Sequence, residues 1–313
     1  MLCSVIIPLY NKAAYVAAAI ESVLTQTYQD VEVIVVDDGS SDGGQAVVEG
    51  IRDPRVRFVR QPNGGVSKAR NTGIDAARGE LVVFLDADDW YGPYYIATMV
   101  ELAKRYPDNC FYATSFKRVR GYDPADWSTA PPSPVPAELV ENFYERRRIN
   151  GALLCTNSVA VWRKHLAPLQ PCFPVGESHG EDQDLWFRLG ERLQLVYSPV
   201  ELVAYRIAVA GSLVTTQAYE RLMPVFERLE ARALRGELKG AARTAALRVV
   251  GDARVSVART QLERGRRGAA LHQLWLARRA RSKHWAVALM MCLLFSPKMV
   301  GRWSRWRMAQ LAE

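Results

Sequence analysis

At 313 residues, the chain is long enough for a full catalytic domain plus an appendage, and its 49% hydrophobic and 24% charged composition is that of an ordinary globular protein. The net charge of +8 is unevenly placed, with residues 1–216 carrying −5 and residues 217–313 carrying +13. Five cysteines (Cys3, Cys110, Cys155, Cys172, Cys292) are scattered without metal spacing, which reads as reduced packing residues in a cytosolic compartment and excludes a disulfide framework. No basic n-region or cleavable apolar run opens the chain, so the expectation is a protein that is not secreted.

The run Ser4-Val5-Ile6-Ile7-Pro8 predicts a buried strand stopped by proline. Tyr10-Asn11-Lys12 follows, and Ala13 to Thr25 carries apolar residues at helical spacing. A second strand, Val31 to Val36, ends on Asp37-Asp38-Gly39-Ser40-Ser41-Asp42; here Gly39 permits a tight turn and Ser41 or Asp42 can cap the next helix. Val56 to Val59 predicts a third strand, Gln61 to Gly65 a loop, and Ser67 to Arg78 a helix ending at Gly79. Leu81-Val82-Val83-Phe84 then leads straight into Asp86-Ala87-Asp88-Asp89. Strand–helix alternation of this kind implies a parallel sheet with right-handed crossovers.

Two strand ends on one edge of that sheet therefore carry acidic clusters. Open α/β sheets bind ligands at the carboxyl ends of their strands. Clustered carboxylates repel, and hard oxygen ligands favour Mg²⁺ or Mn²⁺. An Asp-x-Asp at a strand end suits such an ion bridging a diphosphate. The plainer alternative is an acidic turn in which Asp89 caps a following helix. Gly121 to Pro136, with Trp127 and Pro131-Pro132, reads as a surface excursion. Beyond it, Gly180-Glu181-Asp182-Gln183-Asp184-Leu185-Trp186 places three carboxylates where they can also simply start a helix at Leu185.

Taken in order, Val5 to Asn11, Val36 to Asp42, Asn63 to Gly73, Phe84 to Asp89 and Gly180 to Trp186 resemble the motifs of family-two glycosyltransferases over roughly residues 1 to 215. The resemblance implies a GT-A fold: a Rossmann-like, mostly parallel α/β sheet flanked by helices. It implies a nucleotide-diphosphate sugar donor, UDP-linked, and a Mn²⁺ or Mg²⁺ cofactor. Asp88 would then be the direct metal ligand, with Asp86 at the ribose or in the metal shell and Ala87 between them. Asp38 would accept a hydrogen bond from the base, Tyr10 would stack on it, and Pro8 and Asn11 would lie against the same pocket. Lys68 and Arg70 would meet the nucleotide, the alternative being a solvated helix face. Asp182 takes the general base position, Glu181 holds the loop or the acceptor, and His179 is a weaker candidate for acceptor contact.

Two departures from relatives carry meaning. Processive members have a Gln-x-x-Arg-Trp motif and several spanning helices. Gln183-Asp184-Leu185-Trp186-Phe187-Arg188 stands here instead, which implies a single-transfer enzyme. Tyr205-Arg206 is followed by Ala208 to Ser212 without the histidine many relatives carry, so a lid contact would fall to Arg206 or Ser212.

Residues 216–313 read as a basic helical tail. Helices are expected over Tyr219 to Arg235, Gly240 to Glu263 and Ala269 to Lys283, with Leu271, Leu274, Trp275 and Leu276 facing inward or towards a partner. Trp285 to Phe295 is uncharged but too short to span a bilayer. Arg278, Arg279, Arg281 and Lys283 precede it; Lys298, Arg302, Arg305 and Arg307 follow, and Trp285, Trp303 and Trp306 flank it. This pattern suits a segment, about 284–307, lying on an anionic membrane surface, against a buried helix of the tail as the alternative. The expected place is therefore the inner face of the plasma membrane, and the expected acceptor a glycan or lipid-linked hydroxyl in cell-surface polysaccharide synthesis. Nucleic acid is not expected, since the basic tail holds no reading motif. A sugar-phosphate nucleotidyltransferase lacks support because Pro8-Leu9-Tyr10-Asn11 stands where its Gly-rich loop belongs. An inactive membrane-tethered nucleotide-binding module is opposed by intact Asp38, Asp88 and Asp182. No Gly-x-Gly-x-x-Gly follows any strand, which excludes a dinucleotide oxidoreductase.

Overall fold

The computed structural model describes residues 1–106, 108–121, 129–150, 154–177, 179–207, 219–280, 282–296 and 299–302. Trp127, Ser212, Arg281, Lys298, Trp303, Arg305, Trp306 and Arg307 lie outside them. Contacts divide the chain into two units, Met1–Phe143 with Asn150–Leu213, and Tyr144–Ile149 with Val214–Glu313.

The first unit alternates β1 (Cys3–Leu9), α1 (Ala13–Leu24), β2 (Val31–Asp37), α2 (Gly44–Glu49), β3 (Val56–Arg60), α3 (Val66–Ala76) and β4 (Leu81–Phe84). After these come β5 (Trp90–Tyr91), α4 (Tyr95–Arg105), β6 (Cys110–Val119), β7 (Glu138–Val140), and α5 (Phe143–Asn150), most of which belongs to the second unit. The unit closes with β8 (Val159–Trp162), α6 (Arg163–Leu166), α7 (Glu181–Gly190) and β9 (Gln194–Arg206). One sheet runs β3-β2-β1-β4-β8-β6-β9-β5, with β7 pairing β9. The first four strands are parallel, and β8 and β5 enter antiparallel. The α/β expectation holds, with a mixed second half.

Side-chain alternation explains the layers. Cys3, Val5, Ile7 and Leu9 of β1 enter one core with Val16, Ala19, Ile20 and Val23 of α1 and Tyr95, Ile96 and Met99 of α4. Each of the fully buried Val, Ile, Leu and Met side chains among them contributes about 1.5–3 kcal/mol. Ile6 points the other way, onto α3, so closely that a Cβ on Gly73 would lie 2.3 Å from its Cγ2. Phe84 on that face meets Phe173 and Trp186 edge-on, at 5.4 and 6.3 Å between centroids.

Several local expectations are corrected. β1 runs through Pro8 to Leu9, because Pro8 needs no partner on the side where β4 has ended at Phe84. The proline instead limits the β1–β4 ladder, which frees Asp86 to turn away. Asp42 serves two helices, its Oδ1 accepting from Gly44 N at 3.0 Å and its Oδ2 from Ala13 N at 2.8 Å, while Gly43 is the N-cap of α2. Asp89 caps no helix, since β5 follows it directly. Glu181, not Leu185, begins α7, on a left-handed Gly180 with φ 75°.

The second unit is helical: α8 (Pro224–Leu234), α9 (Gly240–Glu263), α10 (Arg267–Leu276) and α11 (Lys283–Leu294). The first helix starts at Pro224 rather than Tyr219, since proline fits the first turn. The helix expected to run to Lys283 breaks, because Ser282 accepts a hydrogen bond from Trp285 N and starts α11 anew. Val255, Ala258, Leu262, Leu274, Ala288 and Met291 share its core. Of the α10 residues expected to face inward or towards a partner, Leu274 is buried, whereas Leu271 and Trp275 are exposed. Trp285 turns inward, its Nε1 donating to Leu274 O at 2.7 Å. Among the described residues no helix is long and apolar enough to cross a membrane.

Candidate active site

The loops after β1, β2, β3 and β4 meet at the carboxyl ends of those strands. Asn11 adopts a left-handed conformation, φ 51°, which asparagine tolerates better than most residues. Its N donates to Ser40 Oγ at 3.1 Å, and its Oδ1 accepts from Ser41 N at 2.9 Å. Asn11 thus locks the first loop to the second. Tyr10 beside it is 50% exposed, free to offer a ring face. Pro8 is half-buried beneath.

Asp38, to which the family resemblance assigns a contact with the base, is buried. Its Oδ1 accepts from Gln61 Nε2 at 2.6 Å and Gly64 N at 2.9 Å, and its Oδ2 accepts from Gly65 N at 2.7 Å. In this structure its carboxylate fixes the glycine loop that opens α3. Gly39, at φ 79°, lets the second loop lie against that glycine loop, since a Cβ there would be 3.1 Å from Asn63 N. Lys68 lays its stem across Gly64, where a Cβ would meet its Cδ at 2.3 Å.

Arg70, expected at the nucleotide or on a solvated helix face, is buried in this structure, so the solvated face is the reading that fails. Its side chain is 4% exposed, and both terminal nitrogens are taken: Nη2 donates to Asp86 Oδ1 and Nη1 to Glu181 Oε1, each at 2.8 Å. The Phe173 ring lies 5.3 Å from its guanidinium carbon. Ser67 Oγ donates to Glu177 O at 2.7 Å, and Asn71 exchanges two hydrogen bonds with the Phe173 backbone. Positions 67, 70 and 71 share one helical face. α3 therefore binds the segment leading into α7 to the end of β4.

That segment delivers Asp182 to the same place. Its carboxyl is pushed up to about 6, first by burial and next by the charge of Glu181, while Arg70 pulls it down. Gln183 N donates to its Oδ1 at 2.7 Å.

The Asp-x-Asp turn is set by a residue that sequence reasoning missed. Asn157, fully buried just before β8, accepts from Asp86 N at 2.8 Å and donates to Asp89 Oδ2. Its only signal was the polar run Thr156-Asn157-Ser158 ahead of an apolar strand. Ala87 is buried between the two site carboxylates. Asp89 is also buried, and its Oδ1 accepts from Arg206 N at 2.6 Å. Burial, then the charges of Asp86 and Asp88, hold its carboxyl well above the usual range. Arg206 donates from Nε to Asp88 O at 2.9 Å and stacks between Tyr15 and Trp90, at 4.7 and 5.1 Å from their centroids. Ser212, the other candidate for a lid contact, lies outside the described residues.

Asp88 holds the second missed residue. Its Oδ2 is 2.8 Å from Lys12 Nζ, with the side chains 18% and 17% exposed. Among the described residues no three His, Cys, Asp or Glu side chains form a cage for a cation. Arg70 takes one oxygen of Asp86, Oδ1, and Lys12 one oxygen of Asp88, Oδ2, which leaves each carboxylate a second oxygen. One or two carboxylates plus substrate phosphates is the usual Mg²⁺ arrangement, so the residues fit such an ion arriving with a diphosphate.

Several known proteins resemble the chain in sequence or in fold. The chain is 42% identical over 106 residues to the uncharacterized glycosyltransferase EpsJ of Bacillus subtilis, covering 33% of this chain and 31% of that protein. It is 29% identical over 198 residues to the chondroitin synthase of Escherichia coli, covering 61% of this chain and 26% of the synthase. It thus spans about a third of the curated relatives it matches, or less. Among solved structures, TarS 1–349 of S. aureus in complex with UDP-GlcNAc superposes with a TM-score of 0.64 at 19% identity, covering 90% of each chain. The mannosyltransferase PcManGT of Pyrobaculum calidifontis, in complex with GDP-Man and Mn²⁺, gives 0.58 at 19% identity, covering 97% of this chain and 83% of that one. These likenesses establish a GT-A fold. The family described as Glycosyl transferase family 2 matches residues 4–162, about half of the chain, and the chain belongs to that family.

Proposed function

We propose that this glycosyltransferase is an inverting, single-transfer enzyme that moves a sugar from a UDP-sugar to a hydroxyl of a glycan or lipid-linked acceptor. The observation that carries the reading is the Arg70 brace. One buried guanidinium couples Asp86, at the diphosphate end, to Glu181 beside Asp182. Asp182, at about 6, is ionised at neutral pH yet basic enough to take a proton. The acceptor oxygen attacks the anomeric carbon as Asp182 accepts its proton, and the bond to the diphosphate oxygen breaks with its electrons going to the leaving group. Asp88, with Asp86 nearby, would hold a divalent ion, which would supply charge neutralisation of that leaving group. Tyr10 stacks on the base, and Lys68 contributes positive charge near the nucleotide. The UDP-GlcNAc complex of TarS supports the uridine donor by analogy of fold.

The second unit supports work at an anionic membrane on the inner face of the plasma membrane, for cell-surface polysaccharide synthesis. Residues 217–313 carry +13, and α11 leaves Met290, Leu293 and Leu294 exposed along one stripe at spacings of three and four. Basic charge beside an apolar stripe is what such a surface attracts.

Release of nucleoside diphosphate from a panel of UDP- and GDP-sugars, with Mn²⁺ and with EDTA, tests the donor reading. Turnover of a UDP-sugar that requires the ion and disappears in Asp88→Asn is expected. Undiminished turnover in EDTA would remove the ion from the reading. Failure of every donor would remove the function.

A further inference from the structure

Lys12 is a half-buried charge that the proposed chemistry leaves unused. It stands on the first loop, where Asn11 in its left-handed conformation, anchored to Ser40 and Ser41, fixes the start of α1. Its ammonium sits at Asp88, the carboxylate proposed to hold the ion, and 5.8 Å from the Tyr15 ring centroid. Every other group around Asp88 is engaged: Asp86 with Arg70, Asp89 with Asn157 and the Arg206 backbone, and the Arg206 guanidinium with the Asp88 carbonyl and two rings.

We propose that Lys12 is a resident cation that makes metal binding conditional on the donor: it neutralises Asp88 in the donor-free enzyme and yields that carboxylate only to a metal–diphosphate pair. The inference rests on the donor reading above. Its physical basis is charge balance. A bare divalent ion approaching Asp88 meets a carboxylate already paired with an ammonium, with the Arg206 guanidinium close by. Displacing Lys12 alone leaves a charge whose side chain is only 17% exposed without its carboxylate partner, which is unfavourable. A diphosphate arriving with the ion brings its own negative charge, so it offsets the ion and offers the displaced ammonium a new partner. The absence of a three-ligand cage among the described residues points the same way, since protein groups alone do not complete the ion's shell.

The test is a titration of Mn²⁺ against the full-length chain, reading free ion by electron paramagnetic resonance, without nucleotide and with UDP or GDP. Without nucleotide, Lys12→Met is expected to bind Mn²⁺ at least about 10-fold tighter than wild type, the scale set by relieving one desolvated competing charge. Lys12→Arg, which keeps the cation, stays as weak as wild type. Adding Asp88→Asn to Lys12→Met abolishes the gain, which locates it at this carboxylate. A thermal melt of Lys12→Met confirms that the folded chain is being titrated. Unchanged or weaker Mn²⁺ binding by folded Lys12→Met, or an equal gain in Lys12→Arg, would overturn the proposal. The nucleotide arms separate it from the donor reading: if neither UDP nor GDP tightens Mn²⁺ binding to wild type, the donor reading fails. If a nucleotide does so while Lys12→Met changes nothing, the role of Lys12 alone fails.

Discussion

Replacing Arg70 by Met removes the one guanidinium that joins the Asp-x-Asp strand end to the segment bearing Asp182. The arginine is 4% exposed and its partners lie at 2.8 Å, Glu181 being buried and Asp86 28% exposed. Breaking a buried pair by removing one partner costs about 3–5 kcal/mol, because the other charge stays behind uncompensated. Water at Asp86 screens part of this, so the lower half of the range applies. At about 2–4 °C per kcal/mol for a unit of this size, the melting midpoint should fall by about 6–16 °C. Activity carries a second signature. Arg70 pulls the Asp182 carboxyl down, so its loss raises that carboxyl further above about 6. The acid limb of the pH–rate profile of Arg70→Met must therefore move to higher pH. Arg70→Lys keeps the charge but not the two-armed span, and should lie between wild type and Met in both measurements. A midpoint within 2 °C of wild type, on the scale of a surface change, would refute the brace. An unmoved acid limb would refute its coupling to Asp182.

Five further outcomes are expected. Wild-type kcat should rise through about pH 6 and level off above it, because Asp182 must be ionised to accept the proton. Asp182→Asn should keep nucleotide binding by calorimetry while losing about 10²-fold or more in turnover. The same raised carboxyl means that the folded chain holds more protons than the unfolded one between about pH 4 and 6. Stability therefore falls as pH rises through that window, and Asp182→Asn should flatten the fall in urea melts. Gly73→Ala places a Cβ 2.3 Å from Ile6 Cγ2 and should cost about 1–3 kcal/mol in the same melts, with less than additive loss when combined with Ile6→Ala. The chain should co-sediment with anionic but not neutral vesicles, and Leu293→Glu with Leu294→Glu should abolish this without unfolding, since both are exposed at 61% and 70%. Sedimentation of the double variant at the wild-type level would end the membrane assignment. Truncation is a poorer test, because Ala288, Met291 and Cys292 of α11 belong to the core of the second unit.

Periodicity and punctuation alone determined much of this protein. The β-branched runs at Val5, Val33 and Val83, separated by helical segments, specify parallel strands and crossovers because side-chain alternation and chain handedness leave few other arrangements. The five motifs in order specify the family, and carboxylates at strand ends mark the site's edge. What the sequence could not show is which charges face one another. Arg70 lies 111 residues from Glu181, and Asn157 lies 71 residues from the Asp86 amide it receives. Burial turns such pairs from solvated face residues into the fixed geometry of the site, and burial is a property of the packed layers rather than of local pattern. The same holds for Lys12: beside Tyr10 and Asn11 it reads as a surface lysine, and only the closing of β1 against β4 brings its ammonium to Asp88. In the second unit the break at Ser282 is local, a cap only three residues from the Trp285 amide, whereas the inward turn of Trp285 was decided by the Leu274 carbonyl, a neighbour only once the helices pack.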